Sequence, residues 1–234
     1  MHPFPAFISV LAFALVALPA IAETIRVKVE GITVALALPA GHCPLERRNA
    51  ADRGVLEVVE RIVAKINHVL AAFADCTERD AFRAGTQKML DNFGQYMMPR
   101  RGARTKLAPA AFAQQMTEYF KSQGTEVLRG AEADTRERIG TLKLGIGLGE
   151  TRTLGVLRTD ERASYLGLVQ NIKLPDDSSK LQVGVAAFGV VKGRVVTLNL
   201  YSRFTEGPLG AETTIKLLEK ATQTYAATTD ANAR

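Results

Sequence analysis

Leu181 to Phe204 reads LQVGVAAFGVVKGRVVTLNLYSRF. Two β-rich runs, Leu181–Val191 and Arg194–Phe204, flank Lys192-Gly193, and a two-residue turn ending in Gly between such runs marks a β-hairpin. In that register Ala187 faces Leu198 and Val185 faces Leu200. The preceding stretch repeats the pattern, with Leu154–Thr159 and Ala163–Asn171 flanking Asp160-Glu161. The polar run Pro175–Lys180 (PDDSSK) joins the two hairpins. Strand pairs linked by short turns make an antiparallel sheet.

The other end of the chain agrees. Ile25, Val27 and Val29 alternate with Arg26, Lys28 and Glu30, the period-2 signal of a half-buried strand. Ile32, Val34, Leu36 and Leu38 continue the apolar face, and a Glu30-Gly31 turn sets Val29 opposite Ile32. Pro39-Ala40-Gly41 turns the chain into Cys43. Val55, Val58, Val59, Ile62, Val63 and Ile66 follow at helical spacing, with Asn49 or Asp52 as N-cap, Asn67 as C-cap and Glu57/Arg61 as an exposed i,i+4 pair. Val69–Ala74 reads as a short buried strand and residues 86–98 as a further one. Pro109 starts a second helix with Phe112, Met116, Tyr119 and Phe120 inward and Gly124 as its stop. Residues 131–139 suggest a short exposed helix carrying Glu132/Arg136 and Asp134/Arg138 pairs. A last helix spans about 209–226, with Ile215, Leu218, Thr222 and Tyr225 along one side and Leu217 and Ala221 beside them. The fold class predicted is α+β, an antiparallel sheet of hairpins covered by three to four helices in an α/β/α sandwich.

Phe7–Leu18 (FISVLAFALVAL) is uncharged and is followed by Pro19, Ala20-Ile21-Ala22 and Glu23. An apolar run, a helix breaker and an A-x-A site form an export signal, cleaved between Ala22 and Glu23. The run is short for a membrane span, which takes about 20 apolar residues. The basic region that usually precedes such a run is missing. The expected organisation is a signal peptide over 1–22, one domain over 23–227 and a disordered tail over 228–234, in a periplasmic or secreted protein with no transmembrane span after cleavage.

Cys43 and Cys76 are the only cysteines. In an exported chain such a pair is expected to be a disulfide. The loop-entropy model assigns about 3–4 kcal/mol to closing a loop of roughly 34 residues. The mature histidines, His42 and His68, complete no metal cluster. His42 reads as a loop histidine beside the disulfide.

Composition excludes several classes. Apolar residues are 47% and charged residues 23%, which rules out a collagen-like repeat, a highly charged disordered chain and a multi-span membrane protein. Gly145-Ile146-Gly147-Leu148-Gly149 brings the third glycine one place too early for a dinucleotide loop and reads as a flexible or closely packed segment. No G-x-S-x-G is present and the serines stand singly, so no catalytic residue is assigned, and no cofactor or metal is expected. Nucleic acid is not expected either, since aromatic residues do not interleave with the basic ones.

Two features bear on binding. Arg100, Arg101, Arg104 and Lys106 make a mobile basic loop in a chain of formal charge +6. Such a loop attracts an anionic envelope surface or an acidic protein partner. Phe188, Asn199 and Tyr201, with Thr197 and Phe204, lie on or near one face of the last hairpin and offer a ligand face for small-molecule binding or hydrolysis.

VALALPAGHCPL (Val34–Leu45), with AAFADC (Ala71–Cys76) and VVKGRVVTLNLY (Val190–Tyr201), resembles an uncharacterised family of exported Gram-negative proteins. That resemblance implies location and a disulfide, and no activity. The strand–Pro-Ala-Gly opening and the closing hairpin-plus-helix are also similar in pattern to the Mog1/PsbP α/β/α sandwich, whose members are mostly binding or assembly factors. A non-enzymatic binding role is what that likeness implies.

Overall fold

Turn chemistry starts the fold. Glu30-Gly31 and Lys192-Gly193 both hold positive φ at two successive residues (45° and 84°, 50° and 71°), the backbone that matches strand twist in a two-residue hairpin. Around the first, β1 (Thr24–Val29) pairs antiparallel with β2 (Ile32–Ala37), and Val29 does face Ile32. Around the second, β8 (Ser179–Val191) pairs with β9 (Arg194–Arg203), with Ala187 opposite Leu198 and Val185 opposite Leu200. The structure is a computed structural model that describes residues 23–142, 146–176 and 178–233. The signal segment 1–22, Gly145, and the cleavage site on its Ala22 side lie outside the described residues.

The remaining strands are β3 (His42–Pro44), β4 (Asn67–Asp75), β5 (Phe93–Pro99), β6 (Gly147–Thr159) and β7 (Ala163–Lys173). The β1–β2 hairpin stands apart. The other strands form one antiparallel sheet in the order β3-β4-β5-β9-β8-β7-β6. The fold class is α+β. The chain's halves meet where β5 pairs with β9, Phe93 facing Tyr201 and Met97 facing Thr197.

Alternation along these strands sends side chains to two faces. Phe73, Tyr96, Tyr165, Val183, Val185, Leu198 and Leu200 point to one, where they pack against Val34, Leu36 and Leu38 of the hairpin and Leu217, Ala221 and Tyr225 of helix α4 (Pro208–Asn232). The opposite face carries α1 (Ala50–Val63), α2 (Cys76–Arg83) and α3 (Pro109–Leu142). There Leu56 meets Ala72 and Ala74, and Phe112 meets Val190 and Val195. Asn49 caps α1 by accepting from Ala51 N (3.0 Å) and Asp52 N (3.2 Å). Cys43 and Cys76 are joined, which ties β3 to the start of α2.

Several expectations are corrected. Helix α2 follows directly on the β4 strand, capped by Asp75. Asn67 opens β4 instead of capping α1, and Ile66 is exposed. Glu57 and Arg61 do not pair; Arg47 reaches Glu60 instead. Gly124 does not stop a helix. It is buried inside α3, which runs on through residues 131–139. The tail is not loose. Helix α4 continues to Asn232, with Thr228 and Asn232 buried, while Ile215 is turned to solvent. His42 sits buried in β3 rather than in a loop. Gly147 and Gly149 lie in strand β6, where a Cβ on Gly149 would come within 3.2 Å of Asn171, so close packing accounts for it.

Candidate functional site

The two ends of the sheet differ in chemistry. At one end lie the β8–β9 turn, the β1–β2 turn and residues 100–106. The basic loop expected to be mobile is fastened there. Arg100 N donates to Ile66 O (2.9 Å), Val195 N to Ala103 O (2.7 Å) and Thr105 N to Gly193 O (3.1 Å). Ala103 is buried against Val29 and Met98, so the loop's middle is anchored by burial as well. Backbone polar groups paired to a sheet end resist displacement better than a solvated turn does.

One carboxylate organises the cations. Glu30 accepts from Arg104 Nε (2.9 Å) and Arg194 Nε (3.0 Å). The Arg104 hydrogen bond is the main reason its carboxyl is held below the ordinary range. Arg104 is therefore a clamp. Arg100, Arg101 and Lys106 are exposed and have no carboxylate within 4.0 Å among the described residues. Lys192 donates to Thr33 O (3.1 Å), beside the exposed Lys28 on the paired strand. The result is a firm cationic end with three unpaired charges.

The expected ligand face is covered. Phe188, Thr197, Asn199 and Tyr201 share the sheet face that the helices overlie. Phe188 packs against Phe120 of α3, ring centroids 4.8 Å apart. Asn199 is buried opposite Gln95, and its Nδ2 has no hydrogen-bond partner. Tyr201 stacks on Phe93 at 4.8 Å. Of the three residues named from the sequence, Tyr201 alone borders a cleft, although its ring lies on the opposite face of the sheet.

That cleft, of about 210 Å³, opens at the other end of the sheet. Its walls are His42, Asn92, Phe93, the Leu200–Ser202 end of β9, and Thr213, Lys216, Leu217 and Lys220 of α4. The His42 ring lies edge-on to Phe73, centroids 5.9 Å apart, with Nδ1 placed to donate to Ala40 O (3.2 Å). Burial, then Lys220, hold its pKa down, so the ring is neutral near pH 7. Sequence reasoning missed this cleft. Its available signal was Lys216 and Lys220 at i,i+4, flanking Leu217 and Ala221 on a helix that buries the same turn. Among the described residues no group of three His, Cys, Asp or Glu side chains is placed to hold a metal.

No family model matches the chain, and no curated protein does. Among solved structures, the solution structure of cyanobacterial PsbP (CyanoP) from Synechocystis sp. PCC 6803 aligns over 91% of this chain and 95% of that chain, at 12% identity and a TM-score of 0.36. So slight a likeness says nothing of function, and the fold stands on the chain's own topology.

Proposed function

We propose that the chain is an exported, non-enzymatic binding protein that docks by its basic end on an anionic envelope surface. The observation that supports this is the fastening of residues 100–106 to the sheet. Arg100, Arg101 and Lys106 are presented without carboxylate partners on a segment whose backbone is already ordered. Docking then costs little further ordering. Each cation near an anionic surface contributes about 1 kcal/mol at best. Three of them contribute about 3 kcal/mol at best, a weak, reversible and salt-sensitive contact. The Cys43–Cys76 disulfide and the apolar segment before Glu23 support an oxidising, extracytoplasmic location.

The test is cosedimentation with vesicles containing phosphatidylglycerol, at low and at high salt. The protein is expected to bind at low salt and to be released by high salt. The Arg100→Ala/Arg101→Ala/Lys106→Ala triple variant is expected to lose the binding while keeping its melting temperature. Binding that ignores either salt or the triple substitution overturns the reading.

A further inference from the structure

The cleft at the far end of the sheet is not used by that reading, and its chemistry is specific. Lys220 projects from α4 into it, half-buried, with no carboxylate within 4.0 Å among the described residues. Lys216, one turn earlier, is already engaged by Glu212 (2.6 Å). The neutral lining groups are also occupied. Thr213 donates its hydroxyl to Leu209 O (2.8 Å) and Ser202 donates to Asn92 Oδ1 (2.6 Å). Asn92 in turn donates its amide to Glu78. His42 spends its Nδ1 proton on Ala40. What is left is a single ammonium beside Leu200 and Leu217, with Phe93 and Tyr201 bordering the cleft while their stacked rings lie on the opposite face of the sheet.

We propose that this cleft binds a small organic acid, its carboxylate held by the Lys220 ammonium and its apolar body laid against Leu200 and Leu217. One free point charge with few free donors beside it suits a two-oxygen monoanion. A phosphate group, with more oxygens to satisfy, would call for a richer donor set. The apolar walls select for a ligand that is more than its charge. The volume equals roughly seven water molecules at ~30 Å³ each, which limits the ligand to a compact acid. Burial also depresses the Lys220 pKa, and Asp75 opposes this only from a distance. An ammonium partly stripped of water gains more from an incoming anion than an exposed one does.

The probes are benzoate, acetate and inorganic phosphate, titrated into the isotope-labelled, disulfide-intact protein and followed by amide NMR and calorimetry. Benzoate is expected to bind saturably in the millimolar range or tighter, shifting the amides of Tyr201, Leu217 and Lys220. Acetate, lacking the apolar body, is expected to bind about tenfold more weakly. Lys220→Met keeps most of the side chain's length and removes the charge; it should weaken benzoate about tenfold or more. Lys216→Met, in which a paired cation is lost, should leave benzoate within about twofold. Melting curves of both variants separate lost binding from lost folding. The triple variant at the basic end should bind benzoate unchanged, so failure here and failure of the envelope contact are separable. Absence of saturable benzoate binding overturns the proposal. So does phosphate binding as tight as benzoate, or a folded Lys220→Met variant that binds as the parent does.

Discussion

Asp52 is the one carboxylate among the described residues with no exposed surface. It accepts from Glu46 N (2.8 Å) and from Arg83 Nε (3.0 Å), joining α1 to α2 and to the loop that follows β3. Burial alone would raise its pKa; the Arg83 side chain and the Glu46 amide outweigh that, and the net shift is downward. A carboxyl whose pKa is lower when folded contributes stability that is fully present above its unfolded pKa of about 3.9 and is lost as pH falls through the folded value. Urea midpoints measured from pH 6 to pH 2.5 should therefore drop at the acid end, and the drop should be smaller in Asp52→Asn. Arg83→Met leaves the carboxylate buried and unpaired. At neutral pH it is expected to cost about 3 kcal/mol, the low end of the range for breaking a buried pair, since Arg83 itself is partly exposed. Midpoints equal to the parent's would show the pair to be idle. The sequence put Asp52 among the possible helix caps, and the true cap is Asn49. Nothing local distinguishes them: the partner that decides the role of Asp52 lies 31 residues further on.

Helix α4 shows the same limit for a whole element. Its last two turns are polar, T-T-D-A-N-A, and read as a loose end. In the fold they close a strand edge. Asn232 Oδ1 accepts from Ala35 N (3.0 Å), Asn232 Nδ2 donates to Ala35 O (2.6 Å) and Thr228 Oγ1 accepts from Ala37 N (3.0 Å). Tyr96 OH then donates to Ala37 O (2.7 Å). The outer edge of β2, left open by a two-stranded hairpin, is thus paired by side chains. Asn232→Ala would leave both Ala35 groups buried without partners, at about 1–3 kcal/mol each. A loss of about 2–3 kcal/mol in urea unfolding is expected, with faster hydrogen exchange at the Ala35 amide; normal exchange there would refute the edge-closing role. Helix α3 misleads in the opposite sense, because Gly124 looks like a stop. Contacts at its far end carry it past the glycine: Arg136 donates to Leu148 O and Gly149 O, and Arg138 to Ile62 O. Gly130 sits in this helix with open space where a Cβ would go. Gly130→Ala should raise stability by about 0.5–1 kcal/mol, read as a higher melting temperature. The strands were more legible than the helix ends because a period of two and a positive-φ turn are local properties.

At the scale of the molecule, strand order was the part hidden from the sequence. The last two hairpins follow from neighbouring residues, but the β5–β9 junction joins segments about a hundred residues apart, and no local pattern names the partner. The disulfide belongs to the earlier half. Cys43 and Cys76, 33 residues apart, bracket β3, α1 and β4, and they hold the outermost strand of the sheet to α2. Strand β3 pairs with β4 through only His42, Cys43 and Pro44. Beside that short ladder, Cys76 N donates to Gly41 O (2.9 Å), Leu45 N to Ala72 O (2.9 Å) and Arg79 Nη1 to Pro44 O (3.3 Å). The β7–β8–β9 block, by contrast, is bonded along ten or more residues in each pair and is covered on both faces. Breaking the bridge should therefore act unevenly. Cys43→Ala/Cys76→Ala is expected to lower global stability by about 3 kcal/mol in urea unfolding, as loop entropy returns to the unfolded chain. Hydrogen exchange should rise first in residues 42–83, with the amides of Val185, Leu198 and Leu200 still protected. His42 and the start of β5 border the cleft that receives Lys220, so this loosening should also blunt benzoate binding while leaving vesicle binding at the opposite end unchanged. Uniform loss of protection across the sheet would instead make the bridge a support of the whole fold, with both ends failing together.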